Sequence, residues 1–163
     1  EMFSSPGASG AARAARAGEP VMEAAAEALL YITFRCNDLK LEILKIIRQF
    51  QLEQALCDTL LHSSRIGLKQ KLLAFLRSIA SVQPPSVVLD AFPSGCIEGG
   101  IIDVIISTLR RHEDPSMQRW GLAALGAICN VDERFAARGV QGGAATAVLW
   151  ALGADQATSL EQD

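Results

Sequence analysis

Apolar residues recur at every third or fourth position through most of the chain, and this spacing places them on one side of an α-helix. We expect these stripes to be buried in a helical core. They are Val21, Ala25, Ala28, Leu29 and Ile32; Leu39, Ile43, Ile46 and Ile47; Leu52, Leu56, Leu60 and Leu61; and Leu68, Leu72, Phe75, Leu76 and Ile79. No segment alternates apolar and polar residues as a half-buried β-strand would. The pattern therefore predicts an all-α fold.

Both ends of the chain lack this periodicity. Residues 1–19 are rich in Ala, Gly, Ser and Arg, so we interpret them as a tail or linker, or as the remnant of a targeting segment. Pro20 suits the first turn of a helix, which predicts a helix over residues 20–35. Residues 154–163 are mostly polar and predict a C-terminal tail.

One long helix recurs three times along the sequence. The segment around Leu73 superposes on the segment around Leu122 at an offset of 49 positions, and the segment around Val21 superposes on that around Leu68 at an offset of 47. Two glycine pairs, Gly99-Gly100 and Gly142-Gly143, lie 43 positions apart. This distance falls within the roughly 40 to 47 residues of armadillo and HEAT repeats.

Residues 99–141 resemble a complete armadillo repeat. Gly99-Gly100-Ile101 stands where that family opens its second helix. Asp114-Pro115 is a favourable start for the third helix, because the carboxylate can cap free amides and proline fits the first turn. Residues 21–80 keep the helix order but have Arg48-Gln49-Phe50-Gln51 in place of Gly-Gly-Ile, so this half is nearer to a HEAT-like repeat.

The resemblance implies a right-handed α-α superhelix, an armadillo or HEAT-like solenoid of about three repeats. Its parts would be a third helix over residues 20–35, repeats over 38–82 and 85–130, and a partial repeat over 132–153. A single repeat cannot bury its own apolar side, so neighbouring repeats would stack and their third helices would line a groove.

The resemblance also implies a non-enzymatic scaffold or adaptor, which binds a helix or an extended peptide of a protein partner in that groove. Nuclear-import receptors of this family carry a tryptophan and, four residues later, an asparagine on each third helix. Ala123 and Ala127 stand at one such pair of positions here, so that activity is not implied. The alternative is a structural subunit integral to a large multiprotein assembly. The candidate partner contacts are Glu27, Tyr31, Gln70, Ser78, Arg119 and Asn130.

Charge and cysteine spacing argue against several other classes of protein. The formal net charge is −3 and the basic residues are scattered, so we expect no nucleic-acid partner. No apolar run reaches the roughly 18 to 20 residues that span a bilayer. The cysteines at positions 36, 57, 96 and 129 form no C-x-x-C pair, so we expect neither a zinc site nor a redox motif. We expect an intracellular, cytoplasmic protein.

Catalysis is not expected either. His62 lies beside Ser63-Ser64, and Cys96 lies near Ser94, but neither pair belongs to a nucleophile elbow or includes an oriented base with a third member. No phosphate-binding, dinucleotide-binding or calcium-binding fingerprint occurs. The sequence therefore predicts no enzyme activity and no cofactor.

Two features leave alternatives open. Trp120 and Trp150 are either anchors of a protein interface or residues packed between repeats. The turn Arg110-Arg111-His112, together with Arg119, either receives a carboxylate or phosphate group or is a solvated loop. We favour the solvated loop.

Overall fold

A computed structural model of the protein describes residues 7–112 and 114–160. Within these two ranges the regular structure consists of α-helices and one short 3-10 turn, and no strand occurs there, which confirms the all-α prediction. The helices are α1 (Gly7–Arg35), α2 (Asn37–Gln49), α3 (Glu53–His62), α4 (Ile66–Ile79), α5 (Pro85–Ala91), α6 (Ile101–Arg111), α7 (Pro115–Cys129), α8 (Glu133–Gln141) and α9 (Ala144–Leu160), with the 3-10 turn at Pro93–Cys96.

The helices are arranged in units of three, and helices at the same place in successive units lie next to each other. We call α2–α4 the first unit and α5–α7 the second unit. The third helices form one row, in which α4 packs between α1 and α7. The second helices form another, in which α6 packs between α3 and α9. Among the first helices, α2 packs against α5, and α8 packs against the 3-10 turn that follows α5.

The core runs through both units without interruption. It consists mainly of Leu, Ile and Val side chains, as expected from a chain in which aromatic residues make up only 6%. The two largest side chains that are fully buried are Phe75 of α4 and Phe135 of α8. Helices α4 and α6 supply the largest share of buried residues, since each has neighbours on both sides.

Helix α1 begins earlier than the sequence predicted. Its start was expected at Pro20, but the helix begins at Gly7 and Pro20 lies inside it. The segment between them is rich in Ala and Arg, which are strong helix formers and need no apolar stripe to adopt this conformation. The side chains of residues 1–17 lie outside the described part of the chain, so the interpretation of 1–19 as a tail or linker stays a prediction. Helix α9 likewise continues to Leu160, into the segment predicted as a polar tail.

The first predicted stripe is not buried. Val21 is 72% exposed and Leu29 is 37% exposed. The α1 residues that are buried are instead Ala26 and Thr33, on a different side of the helix. The reason is the packing: α1 lies against α4 and α2, whereas α4 lies between α1 and α7 and also contacts α3.

Helix starts follow local chemistry closely in the second unit and beyond. Asp114 caps α7, with the Met117 amide donating to its Oδ1 at 2.8 Å. Asp132 caps α8 through the Arg134 amide at 2.9 Å. The Asp114 cap confirms the prediction from sequence. Helix α4 is preceded by Arg65, whose amide donates to Ser63 Oγ at 3.1 Å.

The turn before each second helix requires a left-handed residue. Gly99 has a φ of 81° two residues before α6, and Gln51 has a φ of 52° at the matching place before α3. Gly100 must also be glycine, since a Cβ there would lie 1.8 Å from the Ser94 carbonyl oxygen. The first unit thus makes the same turn as the second without the glycine pair. Gln51 adopts the left-handed conformation there at a cost in conformational strain.

Candidate protein-binding surface

The six candidate contacts fall on the row of third helices. We call the side of α1, α4 and α7 that carries these positions the third-helix surface. Glu27 and Tyr31 belong to α1, Gln70 and Ser78 to α4, and Arg119 to α7. Asn130 is the C-terminal cap residue of α7 rather than a residue within it.

Four of the candidates, Glu27 among them, are open to solvent. Tyr31 is 63% exposed, and the guanidinium of Arg35 lies 5.2 Å from the centre of its ring. This distance is within the range of a cation–π contact, which holds the phenol in place at an exposed site. Arg119 and Asn130 are also exposed. The structure therefore leaves these side chains accessible to a partner.

Glu27 is exposed and Gln70 is accessible in part, but both already hold the fold together. Lys71 Nζ donates to Glu27 Oε2 at 2.8 Å and to Glu23 Oε1 at 3.2 Å. Gln70 Nε2 donates to Asp114 Oδ1 at 3.4 Å, which joins α4 to the start of α7. These bonds link adjacent third helices across the candidate surface.

Charge pairing at the α1–α4 contact is reflected in the titration of its groups. Arg65 Nη1 lies 2.8 Å from Glu23 Oε2, and the hydrogen bonds from Arg65 and Lys71 hold the pKa of Glu23 below its usual value. The hydrogen bond to Glu27 raises the pKa of Lys71. Both shifts favour the charged forms of Glu23 and Lys71, and the pairing holds α1 against α4.

Ser78 does not reach the surface. It is only 8% exposed, and its carbonyl oxygen accepts a hydrogen bond from Ser81 Oγ at 2.7 Å. A short side chain on a helix that is flanked on both sides cannot extend past its neighbours. Ser78 is therefore not part of the third-helix surface that a partner could contact.

Phe34 is an exposed residue that the sequence reasoning missed. It lies on α1, three positions after Tyr31, and is exposed to a similar extent. Its spacing from Tyr31 was the available signal, because residues three apart are neighbours on a helix. Tyr31, Phe34 and Arg35 together form an exposed aromatic and basic group at the C-terminal end of α1.

A second feature is a cavity of about 580 Å³ between the α2–α3 connection and the α5 segment, lined by Ile47, Arg48, Gln51, Glu53, Gln54, Leu89, Asp90, Ala91, Pro93 and Ser94. At this cavity Arg48 Nη1 lies 2.8 Å from Asp90 Oδ2. Glu53 is buried, and its Oε2 accepts a hydrogen bond from the Ser94 amide at 3.1 Å. Its Oε1 has no hydrogen-bond partner among the described residues. Burial raises the pKa of Glu53.

The basic residues predicted as a solvated loop form the last turn of α6 and its C-terminal cap, and they are tied into the fold. Arg110 Nη2 lies 3.4 Å from the carbonyl oxygens of both Gly142 and Gly143, to which it donates. Lys69 Nζ lies 3.2 Å from His112 Nε2. Burial lowers the pKa of Lys69, and the charge of Arg111 lowers it further. Burial also lowers the pKa of His112, and there the charge of Lys69 acts in the same direction. These contacts give the turn a structural role and do not point to an anion site.

The thiols are not arranged for chemistry. Burial raises the pKa of Cys57 to about 12, and burial raises the pKa of Cys129 as well. Thiols with raised pKa values are poor nucleophiles at neutral pH. Within residues 7–112 and 114–160, no three His, Cys, Asp or Glu residues come together as a metal site, and no described helix has the length and hydropathy to cross a membrane.

Comparisons with known proteins leave the chain without a match. No protein-family model matches the sequence, and no curated protein and no solved structure shows significant similarity to it.

Proposed function

We propose that the chain is a non-enzymatic protein-interaction scaffold built as a right-handed armadillo-type solenoid of about three repeats. The support comes from the packing of equivalent helices. Third helix lies against third helix and second helix against second helix, as in repeat arrays where each unit contacts its neighbours. The offsets of 47 and 49 positions between matching third helices agree with that arrangement.

The observation that carries the proposal is the exposed group of Tyr31, Phe34 and Arg35 on the third-helix surface. Tyrosine and arginine are enriched among the residues that dominate the binding free energy of protein interfaces. The row continues from α1 across α4 to Arg119 on α7, so a helix or an extended peptide would contact several third helices at once. The ion pairs of Lys71 and the Gln70–Asp114 bond hold these helices in register before a partner arrives, which lowers the entropic cost of binding.

Site-specific photocrosslinking tests this assignment. A benzophenone amino acid is placed at Tyr31, at Arg119 and, as a control, at Lys45, an exposed residue of α2 outside the third-helix surface. The variants are irradiated in the cells that produce the protein, and captured polypeptides are identified by mass spectrometry. We expect positions 31 and 119 to capture the same polypeptide and position 45 not to capture it.

Substitution then measures the contribution of the surface. Tyr31→Ala and Arg119→Ala should each weaken binding of the captured polypeptide by about 30-fold, and together by on the order of 700-fold, since each truncated hot-spot residue costs about 2 kcal/mol. The helical circular dichroism should stay unchanged because both side chains are exposed. Undiminished binding by the double variant, or equal capture at position 45, would contradict the assignment of this surface.

A second candidate function is a structural subunit integral to a large multiprotein assembly. The exposed apolar side chains of α1 and α9 favour it, because soluble monomers rarely leave large apolar patches open. A subunit of that kind would be covered on these two helices and not on the third-helix surface. Hydrogen exchange on the assembled and the isolated chain distinguishes the two, because an integral subunit should gain protection in α9, whereas a partner on the third-helix surface should protect α7 and leave α9 unchanged.

A further inference from the structure

Positive charge is concentrated on the third helices, although the formal net charge of the chain is −3. Residues 20–35 of α1, together with α4 and α7, contain five basic and two acidic residues, which gives these segments a net charge of +3. The basic residues are Arg35, Lys69, Lys71, Arg77 and Arg119, and the acidic residues are Glu23 and Glu27. The rest of the chain is therefore acidic.

Both acidic residues of these helices are already used in internal ion pairs. Glu23 is paired with Arg65 and Lys71, and Glu27 is paired with Lys71. Three arginines differ, since neither an ion pair nor a hydrogen bond joins them to an acidic residue in the described part of the chain. They are Arg35, Arg77 and Arg119. Each of the three is exposed, so the third helices present unpaired cations to solvent.

Arg77 and Arg119 lie on the same side of the row of third helices. Helix α4 has neighbours on both sides, and between residues 67 and 79 Arg77 is its only exposed residue. Arg77 follows Gln70 by seven positions, about two helical turns, so these two residues share one side of α4. Arg119 matches Gln70 at the offset of 49 positions between α4 and α7. Both arginines therefore belong to the third-helix surface.

The two arginines are spaced for an extended segment. The bond between Gln70 and Asp114 joins the first half of α4 to the start of α7. The two helices also pack extensively along each other, so they run in the same direction from this bond. With a rise of about 1.5 Å per residue and about 8 to 10 Å between packed helices, Arg77 and Arg119 lie on the order of 10 to 15 Å apart. An extended chain covers this distance in about three to five residues.

We propose that the third-helix surface binds an extended acidic segment of a protein partner, in which two carboxylates about four residues apart pair with Arg77 and Arg119. This inference rests on the function proposed above and specifies the chemistry of the partner. Arginine suits the role because its planar guanidinium can donate two parallel hydrogen bonds to one carboxylate. The exposed rings of Tyr31 and Phe34 add apolar contact area at the α1 end of the row.

The charges of the row favour a segment of this kind over other occupants. A basic segment would meet unpaired arginines, whereas the carboxylates that could attract it, those of Glu23 and Glu27, already bind Lys71. A nucleic acid needs a track of basic side chains along its phosphates. Three arginines on three separate helices, in a chain that is acidic elsewhere, fit a few spaced carboxylates better.

Selection from random peptides tests the proposal without knowledge of the natural partner. A phage-displayed library of random peptides of about 12 residues, long enough at about 3.3 Å per residue to cross the three helices, is selected on the purified natural chain. We expect the recovered sequences to be enriched in Asp and Glu relative to the unselected library. Binding of a synthetic peptide with the consensus sequence, measured by fluorescence anisotropy, should weaken as salt rises, because salt screens the ion pairs.

Charge reversal locates the binding site of the consensus peptide. Arg77→Glu and Arg119→Glu should each weaken binding by about 10-fold or more, the effect of losing a charge-assisted hydrogen bond. Lys45→Glu is the matched control, because it makes the same change of net charge at an exposed residue of α2 outside the third-helix surface. It should change the affinity by less than about 2-fold, since salt screens distant charges. Arg77→Gln, which removes the charge and keeps a good helix former, should have an affinity between those of the natural chain and Arg77→Glu.

Three results would overturn the proposal. The first is that the selection recovers no binding sequence, or recovers sequences that are not acidic. The second is that Arg77→Glu and Arg119→Glu weaken binding no more than Lys45→Glu does. The third is that a single-stranded thymidine oligonucleotide of the same length binds as tightly as the consensus peptide and depends on Arg77 in the same way, which would make the surface a general polyanion site.

These outcomes are separate from those that test the proposed function. Photocrosslinking at Tyr31 and Arg119 measures whether any partner occupies the surface, and it can succeed when the peptide selection recovers no acidic sequence. In that case the scaffold assignment stands and the acidic partner is rejected. If acidic peptides bind the purified chain but neither position captures a polypeptide in cells, the scaffold assignment fails and the preference of the surface for carboxylates stands.

Discussion

Helices α1 and α4 carry the same apolar stripe at the same register, yet the stripe is exposed in one and enclosed in the other. Leu76 of α4 is completely buried, while Leu29, its counterpart on α1, is 37% exposed. Along its own stripe Leu29 has Ala25 and Ile32, where Leu76 has Leu72 and Ile79. The helices beside them also differ, because α4 lies between α1 and α7 whereas α1 lies against α4 and α2. An apolar stripe thus identifies a face that can be buried, and its burial depends on contacts that are distant in sequence.

The largest expected effect comes from truncating the two leucines. Leu76→Ala should lower the free energy of unfolding by about 2 to 5 kcal/mol, because it leaves a cavity in the core. Leu29→Ala removes the same atoms from a partly exposed site and should cost less than about 1 kcal/mol. Urea denaturation at a concentration where the chain is monomeric measures both. Equal costs would mean that the α1 stripe is enclosed in solution.

The next effect concerns the left-handed turns of the two units. Gly99→Ala should destabilise the protein by about 1 to 2 kcal/mol, since φ there is 81° and a Cβ disfavours that conformation. Gln51→Gly should stabilise it by up to about 1 kcal/mol by relieving the same strain in the first unit. Thermal and urea unfolding of both variants tests whether the turns are equivalent. If Gly99→Ala stabilised the protein, or if Gln51→Gly destabilised it, the two turns would not be equivalent.

A smaller effect, on the pH dependence of stability, is expected from the first residue of α3. This residue is Glu53, whereas α6 begins with the apolar Ile101, and both are buried. Burial raises the pKa of Glu53, so the folded protein favours its protonated form. This contribution to stability is complete below the ordinary pKa of glutamate and is lost as pH rises through the raised pKa. The unfolding free energy of the natural chain, measured between about pH 3.5 and 8 around that ordinary value, should therefore fall relative to Glu53→Gln as pH increases. A difference that is constant with pH would contradict this.

The smallest expected effect concerns the attachment of α1 to α4. Lys71→Met removes the cation that is bonded to Glu23 and Glu27 and keeps a side chain of similar length. The natural chain should lose more stability than this variant when salt is raised from about 0.05 to 1 M, because salt screens partly exposed ion pairs. Thermal unfolding at the two salt concentrations gives the result. Identical salt dependence would show that these ion pairs do not hold α1 in place.

Much of the helical organisation could be predicted from the sequence because it depends on local chemistry. The caps at Asp114 and Asp132 and the recurrence of the third helix follow from residues near each other along the chain. The exposure of the α1 stripe, the burial of Ser78 and the buried position of Glu53 do not. Each of these depends on which helix lies across from the residue. The left-handed Gln51 was missed for another reason, since glutamine seldom adopts that conformation.

The candidate surface was predictable to a similar degree. Tyr31 and Arg119 are exposed, as a contact residue must be, but their binding role stays a prediction. Glu27 and Gln70 illustrate what a sequence pattern does not contain, since their bonds to Lys71 and Asp114 connect residues 44 positions apart. Phe34 could have been found by its spacing from Tyr31. Of the group at the end of α1, only Tyr31 was among the contacts predicted from the sequence.

The packing of equivalent helices side by side also determines the order in which parts of the molecule unfold. Detaching α1 mainly breaks its contacts with α4 and α2, and detaching α9 mainly breaks those with α6, α7 and α8. Separating the first unit from the second breaks the α4–α7, α2–α5 and α3–α6 contacts together. Partial openings at either end therefore cost less, so the chain should fray inward from its ends and lose cooperativity as it melts.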